Sequence, residues 1–219
     1  MILAAGRGER LRPLTERIPK PLIRLAGEPL IVHQLRWLRR AGILDVVVNL
    51  HHLGATIEKE LGTGNDLGVR IRYSREAELL DTGGGIKKAL PDLVPGPFIL
   101  LNGDIWTNYP FRNLTDIRPA KAHLVLTPTP AHKGAADFRL ETTGDAARVR
   151  RDAANDLTYC GIAVLDESLF ADSPDGAFPL TDPLFSAVGR DEVTGELFTG
   201  TWIDIGTPAE LKRARRLAA

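Results

Sequence analysis

Residues 1–21, MILAAGRGERLRPLTERIPKP, are the stretch that decides the fold of this chain. An apolar run over residues 1–5 leads directly into a loop with glycines at Gly6 and Gly8. Glycines let a backbone come close to a phosphate group and direct its N–H groups at the phosphate oxygens. A buried strand that ends in such a loop is where an α/β sheet holds an anionic ligand. The stretch therefore predicts a binding site for a nucleoside triphosphate.

Cations follow the glycines in the same stretch. Arg10 and Arg12 belong to the loop, and Lys20 lies between Pro19 and Pro21. A guanidinium group presents a planar fork of donors to phosphate oxygens, and an ammonium group acts as a compact point charge. These side chains can therefore neutralise the charge of a polyphosphate. A basic loop that is merely solvated is the alternative interpretation.

Two commoner phosphate-binding motifs do not fit this loop. The P-loop pattern G-x-x-x-x-G-K-[ST] does not occur in the sequence. The dinucleotide fingerprint G-x-G-x-x-G needs a third glycine where this chain has Leu11, and it needs a helix that begins at once. Residues 12–15, RPLT, postpone the first predicted helix to about Pro29. An NAD-binding protein is therefore a poor fit to the sequence.

Length and composition predict a globular protein with a sizeable core. The chain has 219 residues, enough for one large domain or two small ones. Its 28 basic and 28 acidic residues balance, so we expect no general attraction to nucleic acid or to an anionic membrane. The single cysteine, Cys160, excludes an intramolecular disulfide and a cysteine-based zinc cluster. No apolar run reaches the roughly 18 residues of a membrane span, so we expect a cytoplasmic protein.

Hydrophobic periodicity divides the first half of the chain into alternating strands and helices. Strands are predicted at 1–5, 45–50, 69–74 and 97–101, and helices at 29–41, 55–61 and 84–90. This alternation is typical of a parallel sheet with helices on both faces, in which right-handed crossovers bring the loops after the strands to one edge. The first half therefore predicts an α/β fold.

The second half of the chain is less regular. Strands are predicted at 123–126, 138–140, 157–165 and 198–203, and a closing amphipathic helix at 208–217. The charged, alanine-rich segment 134–156 is expected to form a lid or a hairpin over the edge of the sheet. No internal repeat or low-complexity linker interrupts the chain, which predicts a single domain over residues 1–219.

Four motifs, in order along the chain, resemble one known family. They are the G-x-G-x-R-x-x-P-L-T…P-K-P pattern at 6–21, the TGGG turn at 82–85, NGD at 102–104 and WIDIGT at 202–207. Together they resemble the sugar-1-phosphate nucleotidylyltransferases over most of the chain. The resemblance implies an α/β fold with a Rossmann-like mixed, mostly parallel sheet flanked by helices. It also implies a nucleotide-binding half at 1–110 and a sugar-binding half with the closing helix at 111–219.

Several shorter tracts narrow the resemblance within that family. GGGIKKAL, LLNGDIWTNY, AHLVL and ADFRL are most similar to the bacterial uridylyltransferases that act on N-acetylmuramate α-1-phosphate. The resemblance thus implies UTP and a sugar 1-phosphate as substrates, in cell-wall sugar recycling. It also implies a monomer or a homodimer, with neither nucleic acid nor membrane as a partner.

The reaction that this resemblance implies is attack by a sugar phosphate oxygen on the α-phosphorus of the triphosphate, with pyrophosphate leaving in line. The attacking phosphate is already ionised, so catalysis depends mostly on positioning and on charge neutralisation. We expect Arg10 to bind the β- and γ-phosphates and Lys20 to bridge the α-phosphate and the sugar phosphate. Arg10, Lys20 and Asp104 are the candidate catalytic residues.

Two aspartates are the candidate metal ligands. Asp104 and Asp204 each lie just past a hydrophobic strand, where two edges could converge. Mg²⁺ takes one or two carboxylates together with phosphate oxygens and waters, so two aspartates are enough. We therefore expect Mg²⁺ as cofactor. The alternative interpretation is that each aspartate is an ordinary turn residue at a strand end.

The remaining candidate contacts fall into two groups. The nucleotide-binding candidates are Ala4, Ala5, Gly6, Gly8, Glu9, Arg10, Lys20, Thr82, Gly83 and Asn102. The candidates for the sugar are Asp137, Asp152 and Tyr159.

The sequence departs from the family pattern in two places, which leaves alternatives open. Leu79 stands where a side-chain amide often contacts a pyrimidine, and Asp81 stands where the turn usually has glycine. The Val-Glu-Lys-Pro-like segment, whose lysine usually meets the sugar phosphate, is missing, and only three arginines lie nearby, at 148, 150 and 151. A mannose- or heptose-1-phosphate guanylyltransferase is the rival enzyme. A catalytically silent regulatory homologue is the alternative that is not an enzyme.

Overall fold

A nine-stranded sheet runs through both halves of the chain in the computed structural model, which describes residues 1–93, 95–143 and 146–218. The strands are β1 (Ile2–Leu3), β2 (Arg24–Leu25), β3 (Glu28–Pro29), β4 (Asp45–Leu50), β5 (Arg70–Arg75), β6 (Phe98–Asn102), β7 (Ile105–Thr107), β8 (Ala122–Pro128), β9 (Arg139–Thr143), β10 (Ala146–Arg150), β11 (Leu157–Leu165), β12 (Val193–Leu197) and β13 (Trp202–Asp204). The helices are α1 (Leu30–Arg40), α2 (Gly54–Leu61), α3 (Asp81–Ala89), α4 (Thr181–Gly189) and α5 (Pro208–Ala218).

The order of strands in the large sheet is β5-β4-β1-β6-β11-β8-β12-β10-β9. Strands β5, β4, β1 and β6 pair in parallel, and β8 pairs in parallel with β12. Strand β11 is antiparallel to both of its neighbours, and so is β10. All the other strands of this sheet therefore run in one direction, which confirms the prediction of a mixed, mostly parallel sheet.

Helices cover both faces of the sheet because its central strands are apolar on both sides. Successive residues of one strand enter different cores: Val47 and Leu100 belong to one cluster, and Val46, Val48 and Leu101 belong to the other. Strands that are buried on both faces read as continuous apolar runs, as in DVVVNL. Each leucine or valine buried here contributes about 1.5–3 kcal/mol relative to its exposed state. None of the helices described in the structure is long and apolar enough to cross a membrane.

Several element predictions are confirmed to within a residue or two. Helix α1 begins after Pro29 and ends before Gly42, whose φ of +87° no other residue type adopts readily. The predicted strands at 45–50 and 157–165 have the observed bounds. The amphipathic pattern at 208–217 corresponds to α5. These elements were predictable because their hydrophobic periodicity is strong and residues that start or end an element flank them.

Other element predictions differ from the structure in their bounds, and one helix was not predicted. Helix α3 begins at Asp81, three residues before the predicted 84, because its glycines lie inside the helix. In place of one strand at 198–203 there are two, β12 and β13, on either side of residues 198–201. Helix α4 has no counterpart among the predicted elements. The segment 134–156 contributes β9 and β10, an antiparallel pair at the edge of the sheet, although residues 144 and 145 of that segment lie outside the described residues.

The glycines of α3 are there because neighbouring atoms leave no room for a Cβ. A Cβ at Gly83 would lie 2.4 Å from the ring of Phe178. At Gly84 it would lie 2.1 Å from the carbonyl oxygen of Gly176. Real Cβ contacts do not come this close, so a side chain would push α3 away from the segment 176–178. The three glycines therefore pack the helix against its surroundings, a role that their low helix propensity does not reveal.

We expect Gly84→Ala to destabilise the protein by at least about 2 kcal/mol, because the new methyl group meets rigid backbone. Gly189→Ala is the matched control, since it lies in α4 and, among the described residues, no atom beyond its chain neighbours and its own helix backbone lies within 4 Å of the position of the new methyl group. The control should change stability by less than about 1 kcal/mol. Urea unfolding of both variants tests this, and equal unfolding midpoints would contradict the packing argument.

Candidate active site

A cavity of about 590 Å³ opens at the carboxyl ends of the parallel strands. It lies between the loop after β1, the first turn of α3 and the segment after β6. This is the edge of an open α/β sheet where ligands bind. Eight of the predicted site residues line it: Ala4, Ala5, Gly6, Gly8, Lys20, Thr82, Asn102 and Asp104.

The glycine-rich loop is held in place by hydrogen bonds from outside the loop. Gly8 has a φ of +63°, and a Cβ there would lie 2.9 Å from the side chain of Thr15. The Thr15 hydroxyl donates to the Gly8 carbonyl oxygen at 2.8 Å, and a ring nitrogen of His52 lies 3.0 Å from the Thr15 carbonyl oxygen. The backbone of the loop is therefore fixed before any ligand arrives.

The Lys20 ammonium forms an ion pair with Asp104. Its Nζ lies 2.6 Å from Asp104 Oδ2, and the two side chains are 14% and 25% exposed. Screening by solvent is weak at this depth, so the pair fixes both groups at the floor of the cavity. The structure thus brings together two residues that are 84 positions apart in the sequence.

The strand pair β7 and β13 brings the second predicted carboxylate to the first. Asp204 lies opposite Ile105 in the register, and the Ile205 N–H donates to the Asp104 carbonyl oxygen at 3.0 Å. Burial, and then the Asp104 carboxylate, raise the pKa of Asp204 from 3.8 to about 6, whereas Lys20 lowers it. Two carboxylates therefore lie close together at the end of this strand pair.

These carboxylates fit a magnesium ion better than a zinc ion. Asp204 Oδ1 is buried and has no hydrogen-bond partner among the described residues. Over the same part of the chain, no group of three or more His, Cys, Asp or Glu side chains is arranged to hold a metal. A structural zinc site needs four protein ligands and a catalytic one three. Mg²⁺ needs only one or two carboxylates, with phosphate oxygens and waters as the other ligands.

Arg10 approaches the same corner from the loop side. Its guanidinium group packs beside Gly206, where a Cβ would lie 2.6 Å from Nη2, and its charge lowers the pKa of Asp204. Arg10 is exposed, so its guanidinium can reach a ligand. The neighbouring Glu9 is directed elsewhere: its carboxylate lies 3.6 Å from Arg12 at the surface, and Glu9 does not line the cavity.

The α3 end of the cavity has a different lining from the one predicted. Thr82 lines it, although its hydroxyl oxygen already accepts the N–H of Leu180 at 2.8 Å. Gly83 does not line it, because its N–H donates to the Phe178 carbonyl oxygen at 2.9 Å and its Cα faces the Phe178 ring. Gly83 therefore packs α3 against Phe178 and lies outside the lining of the cavity, and its contact with the nucleotide stays a prediction.

Seven lining residues were not among the predicted site residues. They are Leu3, Pro21, Asn49, Leu79, Asp81, Gly103 and Ala177. Asp81 has a φ of +58°, which is uncommon for a residue other than glycine and is often found at functional sites. The departure of Leu79 and Asp81 from the family pattern was the available signal for these two. Nothing in the sequence marked Asn49 or Ala177.

The three predicted sugar contacts do not line the cavity. Asp137 accepts from the Lys133 ammonium at 2.6 Å and from the Tyr159 N–H at 3.0 Å, so it joins two elements. Asp152 is exposed in a turn, where it accepts from Ala154 N–H and from Arg139. The Tyr159 hydroxyl is buried, with no hydrogen-bond partner in the described part of the chain. The two carboxylates thus serve the fold around β9 and β11.

The arginines near the missing Val-Glu-Lys-Pro-like segment are also engaged away from the cavity. Arg148 donates to the Asp191 carbonyl oxygen at 2.8 Å. Arg150 pairs with Glu141 and Asp191, and Arg151 lies 4.2 Å from the centre of the Phe185 ring. None of the three lines the cavity. Lys20 is the cation that lines it.

Comparison with known proteins identifies relatives of the whole chain. The family model described as nucleotidyl transferase matches residues 1–151. The N-acetylmuramate alpha-1-phosphate uridylyltransferase of Neisseria meningitidis serogroup B is 40% identical, over 100% of this chain and 97% of the relative. The mannose-1-phosphate guanylyltransferase of Mycobacterium tuberculosis is 30% identical, over 97% of this chain but 62% of the relative.

A solved structure shares the fold. The crystal structure of UDP-glucose pyrophosphorylase complexed with UDP-glucose superposes with a TM-score of 0.81, over 99% of this chain and 96% of that one. Only 17% of the aligned residues are identical, so this likeness shows the fold alone.

We expect Asp204→Asn to stabilise the protein by about 1–3 kcal/mol at pH 8 in the presence of EDTA. The pKa of Asp204 is raised in the folded state, so its ionised form disfavours folding above about pH 6. The gain should shrink as the pH falls from 6 towards 4, because wild-type Asp204 then becomes protonated in the folded state. Urea unfolding at several pH values measures the difference.

Asp104→Asn is the matched control for this prediction. It should gain no stability, because it leaves the Lys20 ammonium without its carboxylate. A lower unfolding midpoint for Asp204→Asn than for wild type at pH 8 would contradict the argument.

Proposed function

The chain belongs to the nucleotidyl transferase family, and on that premise we propose that it converts UTP and N-acetylmuramate α-1-phosphate to UDP-N-acetylmuramate and pyrophosphate. The observation that carries the proposal is the 40% identity with the Neisseria uridylyltransferase over nearly the full length of both chains. We place this reaction in the cytoplasm, in the recycling of cell-wall sugars.

In the proposed reaction, an ionised oxygen of the sugar phosphate forms a bond to the α-phosphorus of UTP. The bond from that phosphorus to the oxygen bridging to the β-phosphate breaks, and pyrophosphate leaves with the electron pair. No proton has to be removed from the nucleophile, so the reaction needs no general base. The charged side chains that line the cavity, Lys20, Asp81 and Asp104, are sufficient for this chemistry. The chain contributes positioning and charge.

Lys20 is the residue that we propose to contact both reacting phosphates. Its ammonium is held at the cavity floor by Asp104, so little conformational entropy is lost when it meets a phosphate oxygen. Arg10 approaches from the side of the glycine-rich loop, beside Gly206, and would bind the β- and γ-phosphates. The glycine-rich loop would offer its N–H groups between the two cations.

Asp104 and Asp204 are the residues that would hold Mg²⁺. When bound, the ion supplies positive charge that neutralises the phosphates and the leaving pyrophosphate. The buried, unpartnered Asp204 Oδ1 supports this assignment, because a lone carboxylate oxygen in that position otherwise costs stability. The other nucleotide contacts that we propose are Ala4, Ala5, Gly6, Gly8, Thr82 and Asn102.

A guanylyltransferase is the second candidate. The mycobacterial relative that is named as a guanylyltransferase is 30% identical, and this chain spans only 62% of its length. The relative named as a uridylyltransferase has the higher identity, 40%, and this chain covers 97% of its length. A silent homologue is a weaker candidate still, since the cations and the carboxylates of the site are all present.

A pyrophosphate-release screen tests the proposed substrates. We expect release with UTP and N-acetylmuramate α-1-phosphate, and at least about tenfold lower kcat/KM with GTP, dTTP or CTP and with mannose 1-phosphate. Release only with GTP and mannose 1-phosphate would favour the guanylyltransferase. No release with any pair would exclude both enzymes.

Asp104→Ala should lower kcat/KM by more than about 100-fold, because it removes a magnesium ligand and the partner of Lys20. EDTA should abolish wild-type turnover, and added Mg²⁺ should restore it. Asp66→Ala, at an exposed aspartate between α2 and β5, is the control and should keep wild-type kinetics. Retention of more than a tenth of the activity by Asp104→Ala, a loss of only about 1.4 kcal/mol, would contradict the assigned role.

A further inference from the structure

A buried carboxylate, Glu76, lies behind the cavity and has no place in the reaction described above. It follows β5 directly and is only 5% exposed. Its Oε1 accepts from the side-chain amide of Asn49 at 2.7 Å, and its Oε2 accepts from the Leu80 N–H at 3.1 Å. Burial of an acidic side chain is costly unless hydrogen bonds compensate, so this position needs an explanation.

Asn49 continues the chain of hydrogen bonds towards the phosphate loop. It lies near the end of β4, is 3% exposed, and accepts the Ala4 N–H on its Oδ1 at 2.8 Å. Ala4 is the first residue after β1, where the loop begins. Leu80, at the other end, precedes the first residue of α3. The path therefore joins the phosphate loop to the turn that forms the opposite wall of the cavity.

The donors and acceptors along this path fit only one chemical form at position 76. Ala4 N–H and Leu80 N–H are fixed backbone donors, and Asn49 uses its oxygen for Ala4, so it presents its NH₂ group to residue 76. Residue 76 must accept two hydrogen bonds on two separate oxygens. A carboxylate does this, whereas a glutamine would place an NH₂ group against a donor.

Helix α3 packs directly against the path. A Cβ at Gly85 would lie 2.6 Å from Glu76 Oε1 and 2.9 Å from Asn49 Nδ2, so the third glycine of the helix is needed for this contact. The Glu76 N–H donates to the Leu50 carbonyl oxygen at 2.8 Å, which fixes the backbone of residue 76 as well. In a dry environment these bonds are stronger, and their loss costs more.

We propose that Glu76 is a positioning residue that couples the two ends of the nucleotide site. Through Asn49 it holds the phosphate loop at Ala4, and through Leu80 it holds the turn that carries Asp81 and Thr82. Binding of the triphosphate at one wall would then favour the position of the other wall that contacts the base in the proposed reaction. The proposal deepens the proposed function and rests on it for the identity of the nucleotide.

The first test is Glu76→Gln, compared with Glu78→Gln, an exposed glutamate two residues away. We expect Glu76→Gln to raise the KM for UTP at least about tenfold while kcat changes less than about threefold, because the reacting groups Lys20 and Asp104 are not part of the path. Glu78→Gln should match wild type. An unchanged KM for UTP in Glu76→Gln would overturn the proposal.

The double variant Asn49→Asp with Glu76→Gln provides a rescue. The new aspartate would accept from Ala4 and from the new glutamine, and the glutamine oxygen would accept from Leu80, so the path is restored with the carboxylate moved to the neighbouring side chain. We expect its KM for UTP to return to within about threefold of wild type, while Asn49→Asp alone is worse than Glu76→Gln. If the KM for UTP of the double variant were as high as that of the worse single variant, the assignment of donors and acceptors along the path would be overturned.

Amide hydrogen exchange without any nucleotide separates this proposal from the proposed function. In Glu76→Gln the amides of Ala4 and Leu80 should both exchange at least about tenfold faster than in wild type, and both should recover in the double variant. Faster exchange at Leu80 alone would overturn the coupling. This result does not depend on turnover, so an enzyme inactive with every substrate pair would refute the proposed function and leave this test intact.

Discussion

The pairing of Asp104 with Asp204 is the constraint on which the rest of the site depends. Two carboxylates in a half-buried place repel each other, and the pKa of Asp204, raised to about 6, reflects this together with burial. Lys20 pairs directly with Asp104 at 2.6 Å, and Lys20 and Arg10 both lower the pKa of Asp204 without cancelling the effects of burial and of Asp104. The ionised form of Asp204 therefore remains unfavourable at this corner of the site. Under the proposed function, a cation bound there would offset this cost, so ligand binding and folding would favour the same arrangement.

Much of the fold could be predicted because local and long-range signals agree. The run DVVVNL is apolar, bounded, and placed where a parallel strand needs to be, and the structure has β4 with those bounds. The glycine-rich loop, Lys20 and Asp104 could also be predicted to lie at one site, since they follow apolar runs, and all of them line the cavity. Their phosphate and metal chemistry stays a prediction. What the sequence could not supply was the distance between Lys20 and Asp104.

For other candidate residues, tertiary packing decides which groups surround the side chain. The sequence marks Gly83 as an opening for a ligand, yet this glycine serves a contact with the Phe178 ring. Asp137 has the chemistry of a sugar contact, yet Lys133 and the Tyr159 N–H occupy its carboxylate. Glu76 carried no signal, because a glutamate in the tract YSREAELL looks like any exposed charge until its burial is known. Composition and periodicity do not show which groups a side chain contacts in the folded protein.

The two-stranded ribbon of β7 and β13 links the two aspartates to distant parts of the fold. It is a separate sheet, hydrogen-bonded within itself and connected to the nine-stranded sheet by the short turn at residues 103–104. The Gln34 side-chain amide donates to the Ile105 carbonyl oxygen at 2.9 Å, and the Trp202 indole N–H donates to the Cys160 carbonyl oxygen at 2.8 Å. The ribbon is therefore anchored to α1 and to β11, and the positions of the two aspartates depend on these anchors as well as on the register of the ribbon.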